Sequence, residues 1–137
     1  MERDEWVWMP HAGHLIVGND CRFHLNTYVG GYIVSTVGEY LPDAPVREII
    51  ANSRGVALKG RGDERLHDYM EKVGFEEVGC GRKYETYVFR ASTKSEGGCC
   101  PWRPSDWSEI EGIGSNDPDE ATRNHYAMCE KWSEVQP

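Results

Sequence analysis

The side chains best suited to hold a soft metal ion cluster near the end of this chain: Cys99 and Cys100 follow a glycine pair, and His125 and Cys129 lie four residues apart. On a helix that spacing puts an imidazole and a thiol on one face. With the adjacent cysteines they make up the ligand types of a Cys/His zinc site, which would tether an otherwise weak tail. A competing reading makes Cys129 and Trp132 buried apolar groups, His125 a hydrogen-bonded core residue and the two loop cysteines plain thiols. Spacing does not choose between them, because the cysteines do not form a repeated CxxC pair.

A second set is polar. His11-Ala-Gly-His14 places two imidazoles three residues apart, ahead of Cys21 and His24. Imidazole can act as ligand, acid or base near neutral pH. Arg22, His24, Asn26, Ser35 and Glu39 then fall on one side of a β-hairpin, with His14 nearby. Arg22 and His24 could hold an anionic ligand, Asn26 and Ser35 could orient it, and Glu39 could fix Arg22 by a charge-assisted pair. The bland alternative is the solvated face of an antiparallel sheet, which is polar in any case.

The elements that must position these residues can be read from pattern. Arg22–Val29 and Tyr32–Glu39 are rich in β-branched and aromatic residues and flank Gly30-Gly31, a pair able to take the positive φ angles of a type I′ turn. That turn pairs Val29 with Tyr32, Thr27 with Val34 and Leu25 with Thr36. Phe23, Leu25, Thr27, Val29, Tyr32, Val34 and Thr36 then share the core face. Asp43 and Asp63 each precede a short helical pattern, with Val46, Ile49 and Ile50 on the apolar stripe of the first. Residues 75–90 read as a second hairpin, and a strand is expected from Leu15. Asp117-Pro118 opens a helix over about 118–132, with Glu120 at the capping-box position. Ala121, His125, Met128, Cys129 and Trp132 share its inner face. The fold expected is α+β: a curved antiparallel sheet built from two hairpins and packed by two to three helices. Residues 1–91 form its core, and 92–137 form an acidic appendage.

Composition narrows the function. With 137 residues and a formal charge of −8, the chain fits one domain and repels a phosphate backbone, which argues against generic nucleic-acid binding. No apolar run approaches the length of a membrane helix, and the acidic start lacks the pattern of a secretory signal. The chain is therefore read as cytoplasmic, with its five cysteines as thiols or metal ligands rather than a disulfide framework.

Several segments, 8–14, 21–25, 35–39, 74–77, 84–86 and 125–129, resemble small proteins encoded by bacteriophages and prophages. The resemblance implies a bacterial host cytosol and an accessory role in host takeover or anti-defence, and it brings no active site with it. Two classes of function remain. One is a binding protein that engages a host protein or a small anionic ligand through the polar hairpin face, as a monomer or an oligomer. The other is a small enzyme acting on a nucleotide or modified base, with His14 or His24 as acid/base.

Overall fold

A computed structural model describes residues 1–13, 20–79 and 81–137. His14 and the strand expected from Leu15 lie outside the described residues. The chain forms β1 (Val7–Met9), β2 (Cys21–Tyr28), β3 (Tyr32–Tyr40), α1 (Ala44–Ser53), α2 (Asp63–Lys72), β4 (Tyr84–Arg90), β5 (Glu111–Ser115) and α3 (Pro118–Ser133). The five strands make one open, curved antiparallel sheet in the order β1-β2-β3-β4-β5. The expected α+β class holds.

The hairpin forms as its turn chemistry dictates. Gly30 and Gly31 sit at φ 82° and 99°, and the Val29 amide donates to the Tyr32 carbonyl at 2.9 Å. Asn26 then faces Ser35, and Thr27 faces Val34. Since β3 is the middle strand, its residues from Tyr32 to Gly38 are buried on both faces. On one face α3 covers the sheet, packing Cys129, Met128 and Trp132 against Trp6, Val29, Tyr32, Val34 and Val88. On the other face Asn26, Ile33, Ser35 and Val37 are also buried, beneath irregular segments that include residues 10–13 and 92–107. The hairpin face expected to meet solvent or a ligand is thus an internal layer around Asn26 and Ser35, while Arg22 and His24 remain exposed.

Residues 92–137 contribute β5 and α3, so the stretch read as an appendage completes the sheet and roofs it. The strand that pairs with β4 on its outer side is β5, whereas the described residues of 75–82 form the isolated bridges Tyr40–Glu76 and Gly79–Arg82. Helix α3 starts as its sequence predicts, with the Asp117 carboxylate accepting from the Glu120 amide at 2.8 Å and Pro118 in the first turn. Helix α1 differs from expectation: of its expected apolar stripe Val46 and Ile49 are exposed and Ile50 is half-buried, while Ala51 is the buried residue of the helix and Glu48 pairs with Arg65 of α2. Among the described residues no helix is long and apolar enough to cross a membrane.

Close packing at Gly38 supports a prediction. This glycine lies between Phe23 and Tyr84 across the sheet, and those rings meet edge to face at 5.3 Å. A Cβ at Gly38 would stand 2.1 Å from Tyr84 Cδ1. Gly38→Ala should therefore cost about 1–3 kcal/mol through forced displacement of the ring, read as a lower denaturation midpoint at an unchanged m-value.

Candidate metal centre

The strand alternation assigns the candidate residues to two opposite faces. Thr27 and Thr36 point to the α3 side, so their neighbours Asn26 and Ser35 point to the other. His125, on the inner face of α3, therefore projects onto the sheet at Thr27 and Thr36. It is wholly buried, with Nε2 2.8 Å from Thr27 Oγ1 and Nδ1 2.8 Å from Thr36 Oγ1, and Thr36 continues the chain to Thr86 at 2.7 Å. Both ring nitrogens are thus occupied by hydroxyls. With no carboxylate in this network, burial alone pushes the imidazole down to about 4. Cys129, on the same face, is fully buried, and desolvation pushes its thiol up to about 12. These are the properties of core groups.

Cys99 and Cys100 lie on the other side of the sheet, so the structure does not bring them to His125 and Cys129. Their partner is His11. Its Nδ1 stands 3.0 Å from Cys99 Sγ and 3.5 Å from Cys100 Sγ, and the three ligand atoms all fall within 4.8 Å of one another. A tetrahedral ion with bonds of about 2.0 Å to nitrogen and 2.3 Å to sulfur requires N···S separations near 3.6 Å and an S···S separation near 3.8 Å. The group could hold a metal ion with small adjustments. The four described cysteines, Cys21, Cys99, Cys100 and Cys129, are all free.

Two segments deliver these three side chains, and the hairpin positions both. Residues 91–104 loop out and return: Ala91 bridges Pro104, the Ser92 amide donates to the Arg103 carbonyl at 2.7 Å, and the Ser95 amide donates to the Pro101 carbonyl at 2.8 Å. At its tip Gly97 and Gly98 both adopt φ 81°, a conformation that needs glycine and turns the two adjacent thiols toward one point. Trp102 then stacks on Tyr28 at 3.8 Å with 4° between the rings, laying the loop on the sheet. The His11 segment is held by the residues proposed for ligand binding. Pro10 carbonyl contacts His24 Nε2 at 2.8 Å, Asn26 Nδ2 donates to the His11 carbonyl at 2.8 Å, and the Gly13 amide donates to Ser35 Oγ at 3.1 Å.

The polar hairpin set is therefore divided. His24, Asn26 and Ser35 anchor residues 10–13, with the Asn26 Oδ1 left without a partner among the described residues. Glu39 accepts from the Tyr84 hydroxyl at 3.0 Å, which burial and this contact together push up to about 12. Arg22 is exposed, and His14 lies outside the described residues. His11, which sequence reasoning had weighed only beside His14, is the residue that meets the cysteines.

His11, Cys99 and Cys100 line a cavity of about 490 Å³, shared with Asn26, Trp102, Arg103 and Trp107. Burial raises the Cys100 thiol, against a contact with the His11 backbone and the Arg103 charge, which lower it. A bound cation would oppose that rise and favour the thiolate. No protein-family model, curated protein or solved structure matches this chain, so the reading of the site rests on its own geometry.

Proposed function

We propose that this chain is a small zinc-binding protein that works by capture rather than by turnover. Zinc held by His11, Cys99 and Cys100 staples the 91–104 loop to the 10–13 segment, and the cavity between them is the working surface. The observation that carries this reading is the convergence of two adjacent thiols on an imidazole 88 positions away. Zinc suits this donor set because it accepts mixed thiolate and imidazole ligands and imposes no redox chemistry. A binding role needs no nucleophile. It also suits the accessory role implied by the resemblance to phage-encoded proteins, with a host protein or small ligand as the captured species.

Metal analysis tests the reading. Protein purified with zinc should retain stoichiometric metal after desalting, and Cys99→Ser, Cys100→Ser and His11→Ala should each lose most of it. Cys129→Ser should keep it. Zinc retained by all four variants, or absent from the parent, would leave only a hydrogen-bonded thiol–imidazole group.

A further inference from the structure

We propose that zinc at His11, Cys99 and Cys100 keeps one coordination position for a small molecule bearing an anionic oxygen, a carboxylate or a phosphate, whose charge is shared with Arg103. This inference rests on the zinc reading above and goes beyond it by naming the chemistry of what is captured.

Coordination number is the first argument. Structural zinc sites are closed by four protein ligands, whereas sites that exchange ligands keep three and leave the fourth to solvent or substrate. Among the described residues only three donors converge here. A fourth donor can approach from the cavity, because all three ligands line it. At about 490 Å³ that cavity falls within the range of small-molecule sites.

Charge is the second. The chain carries 23 acidic residues, yet the residues lining this cavity include no Asp or Glu and one strong base, Arg103. Two thiolates balance a divalent zinc ion and the imidazole ligand is neutral, so the Arg103 charge is left over. Its guanidinium forms no ion pair among the described residues, while its backbone is tied on both sides to Ser92: the Arg103 amide donates to Ser92 Oγ at 3.2 Å and its carbonyl accepts from the Ser92 amide. An anionic oxygen bound to zinc and bonded to Arg103 neutralises that excess and gains a charge-assisted hydrogen bond. Trp102 and Trp107 supply apolar walls for the rest of the molecule. Binding is a ligand exchange, in which the anion's oxygen replaces a zinc-bound water and no electron changes hands.

Cobalt(II) in place of zinc makes the exchange visible. Thiolate-to-cobalt absorption reports that the metal is seated, and the ligand-field bands report its fourth ligand. Titration of the cobalt protein with acetate and, separately, with inorganic phosphate should shift those bands saturably, with chloride as a weak control. A response to acetate alone identifies the carboxylate source, and a response to phosphate alone the phosphate source. Arg103→Ala should weaken the response about tenfold or more, and Arg103→Lys should restore part of it. Seated cobalt whose bands respond to neither anion would overturn the inference while leaving the metal site intact. Bands that change on His14→Ala and answer to an anion only in that variant would also overturn it, because the chain itself would then fill the fourth position. Absence of thiolate-to-cobalt absorption would remove the metal reading, and the inference with it.

Discussion

Lowering the pH from 7 to 4 should cost this protein about 3 kcal/mol of folding stability through His125 alone. The imidazole is wholly buried, and its folded pKa is about 4 against an ordinary value of 6.5. Between those values the unfolded chain binds the proton and the folded chain does not, so stability falls as the pH drops through that window. It is complete above about 6.5 and levels off below about 4 with respect to this residue. Asp68 and Glu111, whose carboxyls are held low by a Lys59 amide contact and by Lys131 respectively, add their own losses at the acid end. Urea denaturation of the parent and of His125→Gln as a function of pH separates the contributions. Glutamine can bond to Thr27 and Thr36 but does not titrate, so the metal-free variant should be less stable than the metal-free parent at pH 7 and nearly flat between pH 6.5 and 5. An unchanged slope in the variant would show that the fold does not lower the His125 pKa.

Zinc should protect the 91–104 loop from proteolysis by about 100-fold when its free concentration is 100 times the dissociation constant, because a ligand that binds only the closed loop suppresses opening in that proportion. Lys94 is an exposed residue in this loop, its ammonium 5.3 Å from the Trp102 ring, and tryptic cleavage after it reports the opening. Addition of a chelator should accelerate that cut far more than cuts elsewhere. The Cys99→Ser/Cys100→Ser double variant should be cut rapidly with or without zinc. Equal rates in the parent with and without metal would mean that the Tyr28–Trp102 stack and the backbone contacts hold the loop unaided.

The parts of this architecture that are written locally could be read from the chain. Gly30-Gly31 sets a hairpin register because the turn and its flanking residues are adjacent, and Asp117-Pro118 sets a helix start for the same reason. The inner face of α3 followed from helical spacing, and Ala121, His125 and Cys129 are indeed buried. The His11–Cys99–Cys100 group was not legible in that way. His125 and Cys129 have suitable spacing, but spacing on one helix says nothing about which face of a sheet the helix covers, and α3 lies opposite the cysteine loop. His11 reaches Cys99 only because residues 10–13 are pinned over β2 and β3 while a loop 88 positions later folds onto the same face. Neither segment has a periodic pattern. The polar residues Asn26 and Ser35 did carry a signal, since buried polar side chains in a sheet need partners. Those partners are the backbone groups of the segment bearing His11.

X-ray absorption at the zinc edge of the loaded protein tests the central claim most directly. The site described here predicts two sulfur neighbours at about 2.3 Å, with lighter atoms at about 2.0–2.1 Å that include one imidazole. A shell of nitrogen and oxygen alone, or one of four sulfurs, would contradict it.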